Sequence, residues 1–212
     1  MSSQINMPGV ARDFTVAPDG AAGDEWYTPQ WLLDLLGPID LDPCWSPDSL
    51  VKSERVISKA AGNDGLADRW IRTGCEVVFC NPPFSNASKW LAKASEEGDH
   101  KPRWSVRQVV VVLVPAYPGD GPWDRCVWPS ARFVGWIRGR MTFRNPDGVS
   151  EQKGRGHGLV VFGPDRAECA RWVAAVADRD TEGRIIWTVP IGDGSGYGYG
   201  DGGSDTRQEV AA

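Results

Sequence analysis

The sequence predicts an α/β fold in which helices cover both faces of a sheet. Residues 109–114 are six consecutive aliphatic residues, which is typical of a central parallel strand buried on both faces. Shorter apolar runs at 133–137, 159–162 and 185–189 indicate further strands. Segments with apolar residues three and four positions apart lie between some of these runs and indicate helices. Strands that alternate with helices build an α/β sheet, and 212 residues suffice for one such domain.

The N-terminal part of the chain predicts an arm, a short helix and a strand. Residues 1–23 are rich in small and polar types without periodicity, so we expect a flexible arm. A short helix follows, because Thr28 can cap its N-terminus, Pro29 suits its first turn and Gly37 can close it. Residues 39–42 then predict a brief strand.

The middle of the chain predicts a second buried strand and a longer helix. Residues 45–74 mix Ser, Pro, Lys and Asp, and favour only a strand or a short helix around 56–57. The apolar run 76–79 predicts a strand that stops abruptly, because prolines follow it. Ser85 can cap the next helix and Gly98 can close it.

The C-terminal part predicts a helix, a strand and a tail. Apolar residues within 167–176 follow helical spacing ahead of the strand at 185–189. Seven of the fourteen residues from 192 to 205 are glycine, which is typical of a disordered tail. The expected organisation is an arm at 1–23, one folded domain at 24–191 and a tail at 192–212.

Composition excludes several classes of protein. A net charge of −5 argues against a protein that coats nucleic acid without specificity. No run of about 18 apolar residues occurs and the N-terminus is polar, so we expect a soluble, intracellular protein. We expect no metal site, because only two histidines accompany the cysteines and no Cys-x-x-Cys pair occurs among them. We expect reduced core thiols at Cys75 and Cys80. The five cysteines are Cys44, Cys75, Cys80, Cys126 and Cys169.

Basic residues are concentrated in one segment of this acidic chain. Six basic and two acidic residues between positions 132 and 155 give a local charge of +4. Such a segment can form an edge that faces phosphates, although a solvated surface with chance clustering explains the same pattern. The basic residues are Arg132, Arg138, Arg140, Arg144, Lys153 and Arg155.

The tetrapeptide Asn81-Pro82-Pro83-Phe84 directly follows a predicted buried strand, where open α/β sheets bind their ligands. An exocyclic amine of a base is a poor nucleophile, because its lone pair is delocalised into the ring. If the Asn81 side-chain oxygen and the Pro82 carbonyl each accept a hydrogen bond from that amine, its lone pair is freed to attack a sulfonium methyl. The prolines stiffen the loop, and Phe84 offers a face for an extruded base. A rigid proline turn is the alternative interpretation.

With this tetrapeptide, the sequence resembles the phage DNA N-6-adenine methyltransferases, a Dam-like family. Three further segments occur in the expected order: Glu25-Trp26-Tyr27-Thr28-Pro29, Ile39-Asp40-Leu41-Asp42-Pro43-Cys44 and Asp64-Gly65-Leu66. The resemblance implies a Rossmann-like three-layer sandwich with a mostly parallel seven-stranded sheet of the class I methyltransferase type. It also implies methyl transfer from S-adenosylmethionine to the N6 amine of adenine in DNA.

The resemblance assigns the cofactor site residue by residue. It places Tyr27, Thr28 and Pro29 against the methionine end of the cofactor. Asp42, with Pro43 and Cys44, would bind the amino group of the cofactor, and Asp64 would bind its adenine. Asn81 borders the same site. Carboxylates at strand ends also suit an ammonium group and an adenine amine on chemical grounds. The segment after Asp42 departs from the Gly-x-Gly loop of many methyltransferases, and Glu54 is a candidate for binding the ribose.

Other interpretations remain open at this stage. His157 could act as a base, although amine methylation needs none before attack, and a loop histidine near phosphate or solvent is favoured. The tetrapeptide would also serve cytosine N4, an RNA base or a protein glutamine, and an inactive nucleic-acid-binding module is a further alternative. On the basis of the local charge, the candidate DNA contacts are Arg138, Arg140, Arg144, Lys153 and Arg155. The expected location is the cytoplasm, that of a bacterial host if a phage or prophage encodes the protein.

Overall fold

The computed structural model describes residues 25–72, 77–100, 108–152 and 156–189. The predicted arm at 1–23 and tail at 192–212 lie outside these residues, as do Cys75, Lys153 and Arg155. In the described ranges, no helix is both long and apolar enough to cross a membrane.

Seven strands form one sheet and two short strands form a separate hairpin. The strands in chain order are β1 (Ile39–Asp42), β2 (Ser53–Val56), β3 (Val77–Cys80), β4 (Val109–Pro115), β5 (Phe133–Ile137), β6 (Thr142–Arg144), β7 (Ser150–Gln152), β8 (His157–Phe162) and β9 (Ile185–Thr188). The sheet order is β2-β1-β3-β4-β8-β5-β9, and β6 pairs with β7. The helices are α1 (Gln30–Leu36), α2 (Ala87–Asp99) and α3 (Arg166–Arg179).

The sheet is mixed. Strands β1 to β4 pair in parallel, whereas β8 pairs antiparallel with both β4 and β5, and β9 pairs antiparallel with β5. Strands β1 to β5 therefore all run in one direction, and β8 and β9 run in the other. A mostly parallel sheet of seven strands was expected, and five of the seven strands do run in one direction. Only three of the six pairings are parallel, however, because the oppositely directed strands β8 and β9 pair with β4 and β5.

Helices cover both faces of the sheet, as the alternation of elements predicts. Odd-numbered residues of β4, such as Val111, pack in the cluster that holds α1 and α3. Even-numbered residues, such as Val110 and Val112, pack with α2 and with the π-helical turn Trp123–Val127 on the opposite face. The six aliphatic residues of β4 are thus buried on both sides, as expected, although β4 forms a parallel pairing only with β3.

The helix ends differ in detail from the expectation. Pro29 occupies the N-cap position of α1, so Thr28 does not cap it, while Gly37 closes the helix with a φ of 80°. Asn86 precedes α2, and Ser85 lies in a 3₁₀ turn (Phe84–Asn86) instead of capping the helix. Gly98 does not end α2. It lies in the last turn, where a Cβ would collide with Phe162, so the helix needs glycine for close packing.

Candidate active site

A cleft of about 520 Å³ lies at the edge of the sheet where β1 and β3 end. Because these neighbouring strands are parallel, the segments that follow them meet at the same edge. Residues from three other parts of the chain complete the walls: the segment before α1, the loop after β2 and the turn between β6 and β7. Eight predicted site residues line this cleft: Tyr27, Thr28, Asp42, Pro43, Cys44, Asn81, Pro82 and Pro83.

Asp42 is a buried acid at the floor of the cleft. It is the last residue of β1, it is 3% exposed, and its carboxylate accepts a hydrogen bond from the backbone N–H of Cys44 at 3.0 Å. Burial raises its pKa from 3.8 to about 7, because removal from water disfavours the charged form. A cation bound beside Asp42 would restore its ionised form.

The side chain of Asn81 is held in one orientation. Its Nδ2 donates to the main-chain carbonyl of Trp26 at 2.7 Å, which points the amide oxygen the other way. That oxygen, Oδ1, is buried, and the described residues offer it no hydrogen-bond partner. A buried acceptor without a donor is costly, so such an atom takes its donor from water or from a ligand in the cleft.

Thr28 and Tyr27 form the wall that Trp26 begins. Thr28 is 3% exposed, and its hydroxyl also finds no partner among the described residues. The backbone N–H of Tyr27 donates to the carbonyl of Arg144 at 2.8 Å, and this bond ties the segment to β6. The phenol of Tyr27 donates to Asp48 at 3.5 Å, and burial together with that carboxylate raises its pKa. Pro29 is not among the lining residues.

Phe84 lies beside the cleft without lining it. Its ring centroid is 5.5 Å from that of Phe143, edge to face, and 5.2 Å from that of His157. Two other aromatic rings therefore already contact the residue that was expected to stack on an extruded base. The stacking role stays a prediction.

His157 is not the solvent-facing loop residue that the sequence favoured. It is the first residue of β8, it is 1% exposed, and its ring packs against Phe84 and Phe143. Burial lowers its pKa to about 4, so the imidazole is neutral at physiological pH. Glycines flank it in the sequence, and this composition resembled a loop, although the strand begins at His157.

Two acids proposed for the cofactor do not reach the cleft. Asp64 is exposed, and its carboxylate accepts from the backbone N–H of Leu66 at 3.0 Å, so it closes its own turn. Its neighbours Gly65 and Leu66 line the cleft. Glu54 is exposed on β2, an edge strand, and lies outside the lining. Their binding roles stay predictions without support from this placement.

Several lining residues received no individual role in the sequence analysis. A Cβ at Gly65 would collide with the carbonyl of Pro43 and the ring of Trp90, so glycine permits the close approach of two loops. Lys59 follows β2 and brings a positive charge. Glu25, Trp26 and Leu66 belong to the motif segments but received no individual role, and the remaining unpredicted contributors are Trp45, Ser46, Ser49, Val51, Ile57, Ser85, Asn86, Trp90, Asn145, Pro146 and Asp147.

The predicted basic edge is divided between the two ends of the sheet. Arg138 and Arg140 are exposed directly after β5, which runs in the same direction as β1 and β3, so they lie at the edge that holds the cleft. Arg144 is exposed at the end of β6, next to the turn that lines the cleft. Arg132 precedes β5 at the opposite edge, where it donates to the carbonyl of Gly163. The expectation of one continuous basic edge is therefore wrong for Arg132.

The cysteines of the described ranges are free thiols, and Cys80 is buried in the core as expected. Among the described residues, no group of three His, Cys, Asp or Glu side chains is placed to hold a metal ion.

The fold and the cleft define an α/β protein with a cleft at the carboxyl edge of its sheet, between a buried acid and an Asn-Pro-Pro-Phe loop. The chain belongs to the DNA N-6-adenine-methyltransferase (Dam) family, whose family model matches residues 17–182. The match confirms the family that the motifs resemble. No curated protein matches the chain significantly.

Proposed function

We propose that this protein transfers a methyl group from S-adenosylmethionine to the N6 amine of adenine in DNA. The observation that carries the proposal is the buried Oδ1 of Asn81, an acceptor that the described protein leaves without a donor. An amine of the target base supplies the missing donor. Membership of the Dam family favours adenine in DNA over the other planar amines.

The cleft has the size and chemistry to hold the cofactor. Its volume falls in the range of ligand pockets. The carboxylate of Asp42 suits the ammonium of the methionine moiety, and the hydroxyl of Thr28 offers a second polar contact. The apolar side chains of Ile57, Leu66 and Trp90 suit a planar adenine ring. When bound, the cofactor supplies an electrophilic sulfonium methyl group.

The protein's own contribution to the reaction is orientation of the amine. Asn81 Oδ1 accepts one N–H of the amine, and the carbonyl of Pro82 accepts the other, so the nitrogen lone pair turns toward the methyl group. The proton that the methylated amine must lose leaves after the positive charge develops. Since His157 is neutral, buried and outside the lining, the proposal gives it no part in the proton transfer.

The fold supports a Rossmann-like arrangement of the class I methyltransferase type. Seven strands form the sheet, helices cover both faces, and the cleft lies at the carboxyl ends of parallel strands. The segment Pro43-Cys44-Trp45 replaces a glycine-rich loop, and Gly65 provides the close backbone approach from another part of the chain. In the proposal, the cofactor binds at this edge with backbone contacts that differ from those of a glycine-rich loop.

A direct test is incubation of the protein with duplex DNA and S-adenosylmethionine carrying a labelled methyl group, followed by mass spectrometry of the nucleosides. We expect labelled N6-methyladenine. RNA and a test protein are assayed in parallel. Label found in N4-methylcytosine, in RNA or in a glutamine of the protein would identify that group as the substrate in place of adenine in DNA. An absence of transfer to all four, with the cofactor bound, would favour an inactive binding module.

Arg138, Arg140 and Arg144 are proposed to bind DNA phosphates, because they are exposed at the edge that holds the cleft. Replacement of any one of them by Gln should flatten the dependence of log affinity on log salt by about one unit. The matched control is Arg166→Gln, since Arg166 is exposed in the first turn of α3, which follows the opposite edge of the sheet. Titrations at several salt concentrations measure the slopes. A parental slope in all three variants would place DNA elsewhere.

A further inference from the structure

Cys44 contacts both halves of the candidate active site. Its backbone N–H donates to the carboxylate of Asp42 at 3.0 Å. Its thiol donates to the main-chain carbonyl of Asn81 at 3.1 Å. We propose that Cys44 is a positioning residue for methyl transfer, whose thiol fixes the Asn81–Pro82 peptide unit against the strand end that carries Asp42. This inference rests on the function proposed above and gives Cys44 a role beyond contact with the cofactor.

The proton of Cys44 is available for this hydrogen bond. The contact with Cys80 and burial raise the pKa of the Cys44 thiol, and burial raises the pKa of Cys80, so both groups are protonated near neutral pH. The sulfur atoms are 3.5 Å apart, whereas the Asn81 oxygen is 3.1 Å from the Cys44 sulfur. A carbonyl oxygen is also a better acceptor than a thiol sulfur. The Cys44 thiol donates to the Asn81 carbonyl in this geometry, the Asp42 carboxylate is a second acceptor near the same thiol, and the Cys80 proton can point at Cys44.

The anchored carbonyl is the one that matters for geometry. It belongs to the peptide unit between the two proposed acceptors, the Asn81 side chain on one side and the Pro82 carbonyl on the other. Pro82 has no amide hydrogen, so hydrogen bonding can hold this peptide unit only through the Asn81 oxygen. Rotation of the unit would move both acceptors relative to the methyl donor, and small misplacements of reacting groups cost large factors in rate.

Cys44 also aligns the cofactor and the target amine with each other. The cofactor is proposed to bind at Asp42 and the amine at Asn81, and Cys44 is hydrogen-bonded to both residues. The ends of β1 and β3 are thus held together by side-chain chemistry in addition to the single pairing of Leu41 with Val78. Loss of the thiol should therefore lower the rate of transfer more than the affinity for either substrate.

The test is single-turnover methylation of a DNA duplex at saturating S-adenosylmethionine, with cofactor affinity measured by calorimetry on the same samples. Cys44→Ala should slow transfer about tenfold, as for one lost hydrogen bond, with cofactor affinity within about twofold of the parent. Cys44→Ser restores a donor and should recover most of the rate. The matched control is Cys80→Ala, which removes a neighbouring buried thiol that does not contact the Asn81 carbonyl, and should stay within about threefold of the parent.

Two results would overturn the role of Cys44 while the parent remains active: a parental rate in Cys44→Ala, or equal losses in Cys44→Ala and Cys80→Ala, which indicate packing instead. An inactive parent overturns the proposed function and this role with it. A second measurement does not depend on activity. The infrared difference between Cys80→Ala and Cys44→Ala/Cys80→Ala isolates the S–H band of Cys44, which should lie below the band of the partly exposed Cys126. A band at or above that of Cys126 contradicts the hydrogen bond.

Discussion

Asn81→Ala should reduce the single-turnover rate of methyl transfer by about a hundredfold or more, the scale for loss of one preorganised contact to a transition state. The variant removes the buried, unpartnered Oδ1 while Pro82, Pro83 and the preceding strand stay in place. Affinity for S-adenosylmethionine should change little, because the proposed ammonium acceptor is Asp42. Rapid-quench assays of oligonucleotide methylation measure the rate of transfer, and calorimetry measures the affinity for the cofactor.

Two further variants make this prediction specific. Both Asn81→Ala and Asn81→Asp lose the Nδ2 donor to the carbonyl of Trp26, but only Asn81→Asp keeps a side-chain acceptor of the same size. Asn81→Asp should therefore transfer faster than Asn81→Ala. Asn63→Ala serves as the control, since Asn63 is exposed and its side chain donates a hydrogen bond to the carbonyl of Ala61, two residues away. Parental transfer by Asn81→Ala would reduce the tetrapeptide to a turn.

The parts of the site that the sequence predicted are those where a buried strand ends in an unusual residue. Asp42 ends β1 and Asn81 follows β3, and both line the cleft. Parallel neighbouring strands necessarily bring such positions to one edge, so a linear pattern suffices to predict their proximity. The identity of the residue types then limits the chemistry.

Local patterns failed where a distant partner decides the outcome. Gly98 has the composition of a helix terminus, yet contact with Phe162 keeps it inside α2. His157 has glycines on both sides, yet it begins a buried strand. Propensity is a weak prior in each case, because tertiary packing overrides it.

The contribution of the β6–β7 hairpin could not be predicted. Its turn lines the cleft through Asn145, Pro146 and Asp147, and it is joined to the site by the hydrogen bond from Tyr27 to Arg144. These two residues are far apart in the chain, and no periodic or compositional signal links them. The division of the basic segment has the same origin, since the direction of β5 decides that Arg132 and Arg138 lie at opposite edges.

Asp42→Asn should raise the stability of the cofactor-free protein and lower its affinity for the cofactor. In the cofactor-free protein, burial raises the pKa of Asp42 from 3.8 to about 7, so its ionised form destabilises the fold. The stabilisation from its protonated form is complete below pH 3.8 and is lost as the pH rises through about 7. Asn cannot ionise, so the free energy of unfolding at pH 8 should exceed that of the parent by up to about 4 kcal/mol. Urea denaturation at pH 5 and pH 8 should show this gap widening.

Cofactor affinity should respond in the opposite sense, because the ammonium of S-adenosylmethionine binds the ionised carboxylate. With a pKa of about 7 for Asp42 in the free protein, the ionised fraction rises about fivefold between pH 6 and pH 7. The α-amino group of the cofactor stays largely protonated over that range. The parent's affinity should therefore rise about fivefold, whereas Asp42→Asn should bind about 1–3 kcal/mol more weakly at pH 7 with a flat profile. Calorimetry across this range decides the matter, and equal profiles in parent and variant would remove Asp42 from the cofactor site.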